Sequence, residues 1–200
     1  HLYRRAEICT TLKESDQIVR PANLPPDAVG RRYTVVEVGG HRVAIISLLG
    51  RMFMKPQADC PFRTADAILG ELPEDVKTIV VDFHAEATGE KVALGRHLAG
   101  RVSVVFGTHT HVPTADEVIH AGHTAYISDV GMTGPYDSVL GRKVTPVIAA
   151  AVTGMPHPFD IADGDIRLCG IQVDVDPASG AATAVERVCE ILPEEDAANP

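Results

Sequence analysis

Two histidines stand two residues apart in Gly107-Thr108-His109-Thr110-His111-Val112. They follow the apolar, β-branched run Val102-Ser103-Val104-Val105-Phe106, which reads as a buried strand bounded by glycine. In extended backbone, residues i and i+2 point the same way. Both imidazoles are therefore expected to leave the strand end on one side, with Thr110 on the other. Neutral imidazole is a common ligand for zinc, iron and other borderline metals. A third histidine, His84, closes a second strand-like run, Lys77-Thr78-Ile79-Val80-Val81-Asp82-Phe83-His84. Ligands of open α/β sheets gather outside the carboxyl ends of the strands. Two strands delivering histidines to that edge predict a metal site on His84, His109 and His111.

The elements that must position these rings follow from the same patterning. Tyr33 to Val38 and Val43 to Leu49 read as strands joined by a hairpin turn at Gly39-Gly40. Thr64 to Leu72 reads as a helix capped by Thr64, and Glu90 to Leu98 as the helix between the two histidine strands. Strand, helix, strand favours a parallel βαβ unit. His1 to Leu12 has helical spacing, and Arg20 to Pro26 is proline-stiffened loop. Beyond His111, short strands are expected at 116–120 and 124–128, a loop at Gly131 to Asp137 and a helix at Val144 to Val152. Alternation resumes from Phe159, turns at Pro177 to Gly180 and returns over Thr183 to Ile191. Residues 1–192 read as one domain, and 193–200 as a loose acidic tail.

The 200 residues suffice for one sizeable core, and a net charge of -9 argues against binding an extended nucleic-acid backbone. A small phosphorylated substrate is compatible, because bound cations invert the local charge. No apolar run is long enough to span a membrane, and no signal peptide is visible. Cys9, Cys60, Cys169 and Cys189 lack CxxC spacing, which favours free thiols in a reducing compartment; a cytoplasmic location is expected. The first residue is histidine, so the start is expected to be processed or part of a longer chain.

The order of Arg20-Pro21-Ala22-Asn23, Asp82-Phe83-His84-Ala85-Glu86-Ala87-Thr88, Gly107 to Val112 with Thr114-Ala115-Asp116, and Asp129 to Asp137 resembles the YmdB-like bacterial metallophosphoesterases. These are calcineurin-like 2',3'-cyclic-nucleotide 2'-phosphodiesterases, and the likeness runs over nearly the whole chain. It implies an α/β fold, a four-layer α/β/β/α sandwich lacking its N-terminal strands and helices.

The resemblance also implies two divalent metal ions, iron or manganese first and zinc next. By the family pattern His84 and His109 share one metal and His111 holds the other. The family's remaining ligands, an Asp, a bridging Glu and two Asn, lie on N-terminal strands that this chain lacks. Its proton-donating histidine matches His1 by distance to Arg20-Pro21-Ala22-Asn23, although the residues around His1 depart from the family motif. Asp82, Glu86, Asp116 and Asp129 are expected as partners that fix imidazole tautomers rather than as ligands.

The implied activity is hydrolysis of 2',3'-cyclic nucleotides or similar phosphodiesters by a metal-bound hydroxide attacking phosphorus in line. The alternatives are a non-catalytic scaffold that binds metal weakly, and a mononuclear hydrolase using the three histidines alone. The expected partner is a small phosphodiester; homo-oligomerisation is left open.

Overall fold

The computed structural model describes residues 3, 6–55 and 57–193. Six strands form the main sheet in the order β1-β2-β3-β4-β6-β5: Tyr33–Val38, His41–Leu49, Thr78–His84, Val104–Thr108, Thr124–Ile127 and Val118–His120 respectively. β2, β3, β4 and β6 run parallel, while β1 and β5 are antiparallel edges. The β1–β2 hairpin turns where expected, and Gly39 and Gly40 both hold the positive φ (58° and 80°) such a tight turn needs. A second, three-stranded sheet contains β7 (Thr133–Pro135), β8 (Ile166–Val175) and β9 (Ala182–Ile191).

Strand alternation gives the main sheet two different faces. Ile79, Val81 and Phe83 of β3 face helices α2 (Pro61–Glu71) and α3 (Thr88–Leu98), where Ala65, Ile68, Leu94 and Leu98 complete the larger core. Val80, Val104 and Phe106 face the second sheet and meet Ile171, Val173 and Val185 there. Asp82 and His84 follow Val80 at the two-residue period, so they belong to this inter-sheet face. This is the mixed α/β sandwich that the resemblance implies. Two further helices are α1 (Glu7–Glu14), which buries Leu12, and α4 (Val144–Thr153), which buries nothing.

Four expectations need correction. The N-terminal helix spans Glu7–Glu14 rather than 1–12, of which residues 1, 2, 4 and 5 lie outside the described residues. α2 starts at Pro61 with Cys60 as its cap, so Thr64 lies within the first turn. Proline at the first helical position needs no partner for its missing N–H, which outweighs the threonine signal. Thr133–Pro135 is a short strand and not loop; it is an edge strand on β8, where a proline's missing donor faces outward. His120 has no partner in the sequence and reads there as a surface or cap histidine, but in the fold it is 8% exposed and stacks on Tyr126. Of the expected tail, residues 194–200 lie outside the described residues.

Candidate metal centre

Parallel pairing sets His84 opposite Thr108 and Leu49 opposite His84 at the carboxyl edge of the sheet. Immediately beyond Thr108 the chain turns sharply. His109 and His111 both have positive φ, 99° and 67°. The expected extended backbone through His109-Thr110-His111 is therefore replaced by a left-handed turn, an unusual conformation for two non-glycine residues. Gly107 lets the segment after β6 pass close beside the strand end: a Cβ there would lie 1.7 Å from the Ser128 carbonyl oxygen.

The turn brings His109 onto His84. Their rings lie edge to face with centroids 4.8 Å apart, and His109 Nδ1 is 3.1 Å from His84 Nε2. The outer nitrogens both meet oxygen. His109 Nε2 is 2.8 Å from a Glu86 carboxylate oxygen, which can only accept, so Nε2 carries the hydrogen. His84 Nδ1 is 2.9 Å from Thr108 Oγ1. Thr108 gives its own hydrogen to Asp82 Oδ1 at 2.8 Å, so it accepts from His84 Nδ1–H. Asp82 is further held by Ser47 Oγ at 2.9 Å. Burial pushes the Asp82 carboxyl up from the ordinary range, against the pull of these hydroxyls.

The consequence is chemical. With both outer nitrogens donating, the facing nitrogens His84 Nε2 and His109 Nδ1 each present a lone pair. Two lone pairs 3.1 Å apart repel unless a cation lies between them. Metal–nitrogen bonds of ~2.0–2.1 Å put adjacent ligand nitrogens about 3–3.4 Å apart, so this spacing fits a shared divalent ion as well as a shared proton. Protonation of His84 is disfavoured: burial first, then the neighbouring His109 and Lys91, depress its pKa to about 4. A neutral, oriented imidazole is the form that binds metal.

The other expected residues are placed differently. His111 is exposed and makes no hydrogen bond with the pair. Among the described residues, no three His, Cys, Asp or Glu side chains converge on one point ready for an ion. His84, His109 and Glu86 form a series, not a cage. His1 lies outside the described residues. Of the four carboxylates expected to touch imidazoles, Glu86 does so directly and Asp82 through Thr108. Asp116 instead accepts from Ser128, and Asp129 accepts from Thr110, Lys91 and Gly131. Sequence reasoning passed over Thr108 and Lys91. Thr108 has one signal, its place directly before a histidine at a strand end; Lys91 has none beyond its place in α3.

A family model for YmdB-like protein matches residues 1–188. The chain belongs to the YmdB-like family. This YmdB-like chain is 43% identical, over 188 residues, to the 2',3'-cyclic-nucleotide 2'-phosphodiesterase of Bacillus subtilis (strain 168), covering 94% of this chain and 71% of that protein. A hypothetical protein from Thermus thermophilus has a similar crystal structure, with a TM-score of 0.87 and 39% identity over 96% of this chain and 73% of that one. A phosphatase from Mycoplasma pneumoniae is similar at a TM-score of 0.85 and 30% identity, over 94% and 68%. The YmdB-like chain is accordingly a hydrolase of the phosphoesterase class.

Proposed function

We propose that this chain hydrolyses 2',3'-cyclic nucleotides or closely similar phosphodiesters, with His84 and His109 sharing one divalent cation and His111 serving a second. The observation that carries the proposal is the pair of facing imidazole nitrogens, 3.1 Å apart and each backed by an oxygen acceptor. The name of the Bacillus subtilis relative supports the substrate class. Bound divalent cations supply Lewis-acid neutralisation of the phosphoryl oxygens and a nucleophile available near neutral pH.

The chain's own residues do the orienting. Glu86 and the Asp82–Thr108 pair fix the two tautomers, and such outer partners are worth ~10–100-fold in metal affinity or activity. Exposure of His111 at the mouth of the turn leaves its ring free for a second ion. His1 is proposed, on family likeness alone, as the group protonating the departing alkoxide.

The full-length protein, loaded with manganese, tests this on 2',3'-cyclic AMP and bis-p-nitrophenyl phosphate. Turnover of both is expected, with loss on His109→Ala. Unchanged metal content and turnover in that variant would defeat the assignment.

A further inference from the structure

We propose that Lys91 and Asp129 are positioning residues for the histidine turn: a buried ion pair that fixes Thr110 and, through it, the rings on either side. This rests on the reading of His84, His109 and His111 as metal ligands. The two side chains are 2% and 1% exposed, with Lys91 Nζ 2.8 Å from Asp129 Oδ2. Lys91 comes from α3 and Asp129 from the segment after β6, so the pair ties two elements to a third.

Every polar atom of the pair is directed at the turn or its support. Asp129 Oδ2 also accepts from the Thr110 backbone N–H at 3.1 Å and from Thr110 Oγ1 at 2.6 Å. Lys91 Nζ donates to Thr110 Oγ1 at 3.2 Å, so the hydroxyl is held from both sides. Asp129 Oδ1 accepts from Gly131 N–H at 2.9 Å, and the Asp129 backbone exchanges bonds with Thr114. Val130 N–H to the Gly107 carbonyl, 3.0 Å, closes the same seam one residue along.

The energetics say what such a pair is for. Left-handed residues other than glycine cost ~1–3 kcal/mol each and persist only where their surroundings over-determine them. Thr110 sits between two of them. A buried ion pair is a weak stabiliser, because desolvation offsets its attraction. Here its effect is geometric: Thr110 cannot rotate without taking two donors from the buried Asp129 carboxylate and an acceptor from Lys91, which holds His109 Nδ1 towards His84 Nε2.

The test uses the full-length protein carrying Lys91→Met/Asp129→Leu together, which leaves no unpaired charge and so spares the fold. The expected results are a melting temperature within a few degrees of the parent, and amide exchange at Thr110 and Gly131 about tenfold faster or more while β3 and β4 keep their protection. Manganese Kd should rise ~10–100-fold, as for other groups that orient ligands. kcat on bis-p-nitrophenyl phosphate should fall more than KM rises. A folded double variant with parental exchange and manganese affinity overturns the proposal. If the double variant does not fold, Thr110→Val decides: it keeps the ion pair but loses the hydroxyl, and exchange at Gly131 and manganese Kd should each change several-fold; no change overturns the proposal. A parent protein that neither binds manganese nor turns over would sink the metal-ligand reading, while the exchange comparison still judges the clamp.

Discussion

Helices α3 and α4 invert the usual relation between composition and burial. α3 reads Thr-Gly-Glu-Lys-Val-Ala-Leu-Gly-Arg-His-Leu, yet it buries Glu90 and Lys91 together with Leu94, Gly95 and Leu98. α4 reads Val-Thr-Pro-Val-Ile-Ala-Ala-Ala-Val-Thr and buries nothing, with Ile148 53% and Val152 79% exposed. The difference lies in what each helix serves. α3 packs on the larger core and sends its first-turn charges to the sheet's carboxyl edge. There Glu90 accepts from Arg51 and Met52 N–H groups, and Lys91 meets Asp129. Its buried charges cost stability and give geometry. α4 carries no fully buried residue, although Pro146, Val147, Ala149 and Ala150 are half-buried.

That contrast can be broken at its strong end first. Gly107→Ala should be the most damaging change: the new methyl would meet the Ser128 carbonyl oxygen at 1.7 Å. The expected loss is about 3 kcal/mol or more, read by denaturant unfolding. Lys91→Met alone should be of comparable severity, ~3–5 kcal/mol, because Asp129 is left buried and unpaired. A loss well below that range would mean that Asp129 finds water or protonates cheaply, and α3 would lose its special standing.

A smaller effect is expected from His84. Its folded pKa, about 4, lies below the ordinary 6.5, so the unfolded chain binds the proton more readily. This contribution to stability is fully present above pH 6.5 and is lost as pH falls towards 4. A metal-free titration by NMR should place the His84 midpoint near 4; a midpoint at 6.5 would remove the argument that the ring is held neutral. Smallest of all, Ile148→Lys or Val152→Lys on α4 should change stability by no more than about 0.5 kcal/mol. A larger loss would show that α4 is buried against something in solution.

Much of this arrangement is legible in the residues themselves. Apolar, β-branched runs bounded by turn residues locate β1 to β4, because strands covered by helices on one face and a second sheet on the other are apolar on both. Placing histidines after two adjacent parallel strands correctly brings His84 and His109 together. The reason differs from the one the pattern suggests: His109 arrives by a left-handed turn, and positive φ at a histidine leaves no mark in composition. For the same reason His111 makes no hydrogen bond with the pair, since the i, i+2 rule holds only in extended backbone. The tautomer-fixing role foreseen for Asp82 and Glu86 agrees with their contacts, as both stand beside His84 in the chain. Asp129 and Lys91, 38 residues apart, meet only through tertiary packing, so nothing local announces them.

Imidazole nitrogen NMR of the ¹⁵N-labelled protein during a Zn²⁺ titration tests the central claim most directly. His84 should carry its hydrogen on Nδ1 and His109 on Nε2, and the two facing nitrogens should shift together as one equivalent of zinc is bound. Zinc that moves neither resonance, or that binds with either ring in the opposite tautomer, would contradict a cation shared between His84 and His109.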